Sequence, residues 1–268
     1  MNILVTLDSN YVSPLCVMLR SLVRTTRGRR FEIYVIHSSL TQADLDRMTQ
    51  ALDGAQAALH PIVAPAALFE GVPVLDRLSR ETYYRLLLGE LLPETVHRVL
   101  YLDPDIVINR DLSALYDLDL CGKTVAAAPH LFGILERVNL RRLGIPRGRR
   151  YVNAGVLLFD LDRWRAAVTA ERLFSYINAN VKKLLLADQD VLNVLMQDQL
   201  LYVDERLYNL DEKTYRIYHC FGGHRRIDLP WVRAHAVVIH YNGKHKPWRE
   251  RPYRGKLGEF FEAYQSSV

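Results

Sequence analysis

Three cysteines in 268 residues, Cys16, Cys121 and Cys220, are too few, too scattered and odd in number for a disulfide framework. No CxxC pair occurs, so a zinc ribbon is excluded, and "HCFGGHRR" (219–226) finds no supporting ligand pair elsewhere. Such usage fits a reducing compartment. No apolar run approaches the roughly 20 residues of a membrane span. "MNILVTLDSN" has no basic leader and its apolar run stops at Asp8, so a first strand is expected there rather than a signal peptide. Neither GxGxxG nor GxSxG is present. "CGKT" (121–124) lacks the earlier glycine of a phosphate loop, because Asp117 stands in its place, and a nucleoside triphosphatase reading fails. Repeats, low-complexity segments and linker-like shifts of composition are absent too.

Charge of one sign is also lacking: 35 Lys and Arg face 30 Asp and Glu, a net charge of +5. That balance suits an anionic ligand, an acidic membrane surface or nucleic acid without choosing among them. The basic residues are dispersed, with denser patches at 24–30, 141–150 and 244–254, and no nucleic-acid-binding motif accompanies them. A nucleic-acid partner is therefore not expected.

What is present reads as a folded α/β chain, 49% hydrophobic and 24% charged. Strands are expected at 3–7, 31–38, 99–102, 106–108 and 124–128, with a weaker one at 58–63, where Pro61 argues against a central position. Helical spacing marks 11–26, with Ser13 and Pro14 as a start signal, and Thr41 with Asp44 forms an approximate capping box for the next helix. An amphipathic helix is expected over 79–93, a short one near 112–116 and another over 186–197. A basic loop spans 141–150, the run 154–161 is apolar, and 236–248 is a strand entering a basic loop. Strand–helix alternation implies a sheet built on parallel crossovers. One domain over 1–250 with a helical, basic extension over 251–268 is the economical reading.

Several residues could carry chemistry. In "YLDPDIVI" (101–108) two carboxylates flank a proline between apolar runs. Burying both is expensive unless a cation compensates them. Asp103 and Asp105 share one face of an extended segment, roughly 6–7 Å apart at Cα, close enough for both to meet one divalent ion. An exposed Asp-Pro-Asp turn is the alternative. "TLDSNY" (6–11) ends the first strand, where open α/β sheets collect ligands. Asp8 and Asn10 could hydrogen-bond a base or ribose and Tyr11 could stack on it; equally, Asp8 or Ser9 caps a helix and Tyr11 is core. His240 is either a core imidazole or a metal ligand. Gly243, Lys244 and Lys246 form a diphosphate clamp or a solvated loop. Asp188, Gln189 and Asp190 start a helix, where acids are favoured by the macrodipole alone. Asn153 closes a turn or meets a ligand hydroxyl.

The order of these segments is more specific than any one of them. "TLDSNY", "TYYRLLLGELLP", "VLYLDPDIVI", "NAGVLLFDLDRW", "DQDVLN" and "HYNGKHKPW" together resemble family 8 of the retaining glycosyltransferases, over about residues 2 to 250. That family includes bacterial lipopolysaccharide glucosyl- and galactosyltransferases and glycogenin. The resemblance implies a GT-A fold (a single Rossmann-like mixed sheet flanked by helices), a UDP-sugar donor and bound Mn2+, with Mg2+ as a substitute. It puts Asp103, Asp105 and His240 on the metal. Thr6, Asp8, Asn10 and Tyr11 fall at the uridine positions, Gly243 and Lys246 at the diphosphate, and Arg85 near the donor. Asn153, Asp188 and Gln189 fall beside the donor sugar and the reaction centre, the last two as the catalytic pair. Gln189 is a poor nucleophile, so front-face attack is implied, with Asp188 orienting sugar hydroxyls. His130 stands where some galactosyltransferases carry an acid, which leaves glucose and galactose both open. The acceptor implied is a glycan, glycolipid or glycoprotein, and the setting the cytoplasm, with the basic, aromatic C-terminus able to rest on the inner face of a membrane or to form a solvated helix. A binding-only nucleotide-sugar protein, or the same fold with another donor, is the competing expectation.

Overall fold

The computed structural model describes residues 1–65, 83–130, 133–250 and 252–265. Seven strands form the central sheet in the order β3-β2-β1-β4-β7-β6-β8. They are β1 (Asn2–Thr6), β2 (Phe31–His37), β3 (Ala57–Val63), β4 (Arg98–Leu102), β6 (Val125–Pro129), β7 (Val152–Asp160) and β8 (Leu200–Tyr202). β5 (Ile106–Ile108) and β9 (Val238–His240) pair separately as a two-stranded antiparallel sheet. The parallel sheet anticipated from strand–helix alternation holds for β1 to β4, but β7 runs antiparallel to both β4 and β6, which makes the sheet mixed. β6 and β7 register directly across from each other, a pairing that opposite directions permit without a buried crossover.

Alternation explains why the strands read as unbroken apolar runs. In β4, Val99 and Tyr101 join the core on one face with Phe159 and Trp164, while Leu100 and Leu102 join Leu15 and Leu19 on the other. A strand covered on both faces has no polar side to show. Pro61 is tolerated because β3 is an edge strand. The helix Gln42–Ala51 starts at a full capping box, Thr41 accepting from the Asp44 N–H and Asp44 from that of Thr41. Such a cap is worth about 1 kcal/mol.

Three expectations change. Of the helix anticipated over 79–93, residues 79–82 lie outside the described residues. Beyond them Tyr83 and Tyr84 are helical, but the chain turns at 85–87 before Leu88–Leu91 form a further helical turn, with Gly89 pressed against Trp164 and Arg165. The basic stretch 141–150 is not all loop, since Arg141 and Arg142 belong to the last turn of a helix, Gly133–Leu143. Finally, the helix Gly258–Gln265 turns Phe260 and Phe261 inward, where they pack with Tyr241 and Leu257 beside Trp248. Burial of those rings fixes one face of the terminal helix to the domain while Glu262 and Ala263 lie on its exposed face, and it leaves Arg254 and Lys256 as exposed cations.

Candidate active site

β1 and β4 lie side by side and end together at Thr6 and Leu102, and antiparallel β7 begins at the same edge with Val152 and Asn153. β1 separates β2 from β4, so this edge is the switch point of the sheet, the place where open α/β folds bind ligands. The Asp-Pro-Asp turn leaves the main sheet here and enters the small one. Asp103 donates its N–H to the Gly155 carbonyl of β7 (2.8 Å), while the carbonyl of Asp105 accepts from Tyr241 N–H (2.9 Å) just beyond β9. β5–β9 register sets His240 opposite Ile106, directly beside Asp105.

The three expected metal ligands therefore meet, although His240 lies 135 positions after Asp105 in the sequence. One ligand atom each from Asp103, Asp105 and His240 lies within 4.8 Å of the other two. Donors bonded to one ion at about 2.0–2.6 Å must be no farther apart than about 5.2 Å, so the set fits a divalent cation. His240 Nε2 is 3.2 Å from Asp105 Oδ1 and 3.5 Å from Asp103 Oδ2, and the imidazole is buried. Its Nδ1 donates to Asn209 Oδ1 (2.8 Å), which turns Nε2 toward the carboxylates. Burial opposes charge on the ring, but Asp105 and Asp103 raise its pKa to about 9. Both carboxyls are held below the ordinary range in spite of burial, Asp103 by Arg85 and His240, Asp105 by His240 and Lys246. Gly155 completes the cradle: a Cβ there would lie 2.2 Å from His240 Cε1 and 2.6 Å from Asp103 Oδ2.

A hydrogen-bonded relay of amides runs from this cluster toward Gln189. Asn209 Nδ2 donates to Asn153 Oδ1 (2.8 Å), and Asn153 Nδ2 donates to Gln189 Oε1 (3.1 Å). Ala154 N–H also donates to Gln189 Oε1, at 3.3 Å. Arg85 closes the other side. Its Nη1 lies 2.8 Å from Asp103 Oδ1 and donates to the Ala154 carbonyl, and the guanidinium sits 4.6 Å above the Tyr101 ring. Tyr101 in turn donates to Asp103 Oδ1 (2.6 Å) and shares a hydrogen bond with Thr6 Oγ1. Asp188 Oδ2 is 3.0 Å from Arg85 Nε, yet neither buried atom has a hydrogen-bond partner among the described residues. Burial is the main cause that lifts the Asp188 pKa to about 6, against the pull of Arg85.

At the opposite rim, Lys246 Nζ donates to Asp105 Oδ2 and to the Tyr241 carbonyl, both at 2.6 Å. Asp105 thus divides its oxygens, one toward Lys246 and one toward His240. Tyr11 is half-buried with its ring edge-on to Trp248, 6.0 Å between centroids. Asp8 caps the short turn Ser9–Tyr11 by accepting from Asn10 N–H, and the Asn10 side chain is exposed. Among the described residues, none beyond its two chain neighbours has an atom within 4 Å of where a Gly243 Cβ would sit. It belongs with His240, Asn242 and Lys244 to the lining of a cavity of about 510 Å³. His130 approaches Asp211 at 3.9 Å, and its pKa is lowered by burial.

Four participants escaped the sequence reading. Asn209 and Tyr101 carry no local signal. Gly155 does, since a glycine inside a strand marks a close approach. Asp190 reads as a capping acid but is fully buried, bound by Arg142 through both oxygens (2.9 Å each), by Tyr151 Oη (2.6 Å) and by Leu186 N–H (2.8 Å). With every lone pair engaged, it is a structural anchor for the helix Ala187–Leu195 that carries Asp188 and Gln189.

Comparison with known proteins agrees with this geometry. The sequence model described as "Glycosyl transferase family 8" matches residues 2–251. General stress protein A of Bacillus subtilis strain 168 is 26% identical, over 95% of this chain and 90% of that protein. Lipopolysaccharide 1,2-glucosyltransferase of Escherichia coli K12 is 27% identical, over 93% of this chain and 73% of its own length. Among solved structures, the galactosyltransferase LgtC in complex with donor and acceptor sugar analogs superposes with a TM-score of 0.84 and 28% identity, covering 100% of this chain and 96% of that one.

Proposed function

The chain belongs to glycosyl transferase family 8 and has the GT-A fold, and from that premise we propose that it moves a hexose, glucose or galactose, from a UDP-sugar to a glycan or glycolipid acceptor with retention of configuration. The observation that carries this reading is the convergence of Asp103, Asp105 and His240 within 4.8 Å. Bound there, Mn2+ (or Mg2+) would supply a Lewis acid for the charge that develops on a departing diphosphate. A glycoprotein acceptor fits the same chemistry, and three free cysteines suit a cytoplasmic setting.

Each proposed contact follows from a placement already described. Tyr11, against Trp248, offers a ring for the uracil, while Asp8 and Asn10 border the ribose. Thr6 acts through Tyr101, holding the phenol that fixes Asp103. The bare face of Gly243 admits a diphosphate, and Lys246 turns from Asp105 to the phosphate oxygens, where its ammonium offsets the leaving charge. Arg85 and Asp188 turn their unused Nε–H and Oδ2 toward the sugar hydroxyls. Asn153 holds Gln189 beside the anomeric carbon.

Retention requires either a covalent glycosyl-enzyme or attack from the leaving-group side. Gln189 is an amide, Asp190 is saturated, and Asp188 is in this reading taken up by the sugar hydroxyls. The acceptor hydroxyl therefore attacks on the face that UDP leaves, and a phosphate oxygen receives its proton. Residues 1–250 carry this chemistry in the proposal, and of the extension 251–268 the described part, 252–265, packs onto them. The test is UDP release from a panel of UDP-sugars, with and without Mn2+. Metal-dependent release from one donor, abolished in Asp103→Asn and Asp105→Asn, is expected. Turnover in metal-free buffer, or full activity in either variant, would reject the assignment.

A further inference from the structure

The helix Gly133–Leu143 buries none of its residues. Ile134, Leu135 and Val138 are 76%, 55% and 56% exposed, and Leu185 and Leu186 are 51% and 42% exposed. These two apolar groups adjoin. Leu135, Val138 and Arg142 share a helix face by their i, i+3, i+7 spacing. Arg142 hydrogen-bonds the Lys183 carbonyl and clasps Asp190, whose Oδ2 also accepts from Leu186 N–H. The apolar rim therefore continues from the helix to a loop that ends three residues before Gln189.

Cations flank that rim. A cavity of about 1020 Å³ beside the helix is lined by Arg137, Arg141 and Arg147. All three are exposed, and none of their guanidinium groups has an ion pair or hydrogen bond with another described residue. Glu136 also lines this cavity, but it is engaged by Arg150 Nε and Tyr151 N–H. Lys182 and Lys183 are exposed beside the leucines. Unpaired arginines call for phosphate. Exposed aliphatic side chains next to them add what neither a free anion nor a nucleic acid requires, and this combination is the signature of an interfacial helix.

We propose that this face, the helix Gly133–Leu143 with residues 182–186, docks on an anionic phospholipid bilayer. The aliphatic rim enters the acyl boundary and the arginines take headgroup phosphates, so that a lipid-linked acceptor is presented beside Gln189. The inference rests on the transferase reading only in naming that acceptor. Docking itself is independent of turnover.

Flotation of the full chain with vesicles tests it, without donor present. One set is phosphatidylcholine alone and the other contains about 30 mol % phosphatidylglycerol, a composition that gives a negative surface. Binding to the anionic set alone is expected. Each arginine near such a surface contributes about 1 kcal/mol, or about five-fold, so Arg137→Gln with Arg141→Gln should weaken binding about 25-fold. Ile134→Ser with Val138→Ser should weaken it as well, and Arg254→Gln with Lys256→Gln should leave it unchanged. Unaltered UDP-sugar hydrolysis in the arginine variant shows that it is folded. Absence of vesicle binding, equal binding to both sets or loss only in the C-terminal variant would overturn the proposal. So would full displacement by inorganic phosphate together with unchanged binding of the serine variant. A protein that docks but never turns over would refute the transferase reading and leave the docking intact.

Discussion

Replacing Gly155 by alanine should remove the metal site while leaving the fold. The added Cβ would stand 2.2 Å from His240 Cε1, 2.6 Å from Asp103 Oδ2 and 2.9 Å from Asn153 Oδ1. Carbon atoms settle about 3.5 Å or more apart, so the imidazole must retreat by about 1.3 Å. It cannot do so freely, because Nδ1 is tied to Asn209 and the ring is buried. A metal site tolerates about 0.2 Å in its ligand distances, several times less than the forced shift. Disturbing an orienting partner alone costs about 10–100-fold in metal affinity. Displacing a ligand and crowding a second should cost at least about 100-fold, or about 2.7 kcal/mol. Overpacking costs about 1–3 kcal/mol of stability, which a chain of this size survives. Mn2+ titration by calorimetry, beside a thermal melt in EDTA, separates the two effects. A folded Gly155→Ala protein that binds Mn2+ within about threefold of wild type would refute the assignment of these side chains as one site. Gly243→Ala is the control: with no described residue beyond its chain neighbours near, it should leave Mn2+ binding alone and weaken UDP binding.

Asn209→Ala should lower Mn2+ affinity about 10–100-fold with the fold retained, and unchanged titration would show that the imidazole needs no orienting amide. Asp188 gives a pH signature in the metal-free protein. Its folded pKa is about 6 against 3.8 for the free side chain, so the native state holds the extra proton between those values. The associated stability is fully present below about pH 3.8 and is lost as pH rises through about 6, on the order of 3 kcal/mol. Asp188→Asn should flatten that part of the stability curve, and parallel curves for the two proteins would refute burial as the cause. Arg142→Met leaves the fully buried Asp190 carboxylate without its guanidinium, which should cost about 3–5 kcal/mol in chemical denaturation. A loss below about 1 kcal/mol, the range of an exposed pair, would show that Asp190 does not anchor the helix.

Why "YLDPDIVI" buries two carboxylates is legible only partly in those eight residues. The apolar runs on either side announce strands, and both are found. Nothing in them says that the strands belong to different sheets, yet that division places the aspartates at a seam where Arg85, His240 and Lys246 can reach them. Periodicity reports which face of a strand is covered, and β4 is covered on both, so the pattern carries no partner information. Order among motifs supplied what periodicity could not. It brought His240 to the metal ligands before the β5–β9 register accounted for the approach.

Asn209 lay beyond either kind of reading for a physical reason. Motif order placed Asn153 and Gln189 near the donor sugar, but Asn209 is a common surface residue type that acquires meaning only by meeting Asn153, as Asn153 meets Gln189, across strand and helix ends. Asp190 shows the converse. Acids at a helix start are favoured whatever else they do, so a macrodipole account was sufficient at both Asp188 and Asp190 and could not separate them. Hydrogen bonding separates them: Asp190 has every oxygen engaged, whereas the buried Oδ2 of Asp188 has no hydrogen-bond partner among the described residues. Two carboxylates two residues apart thus differ in kind, one fully engaged in holding the helix in place and one keeping an unpaired oxygen beside Arg85.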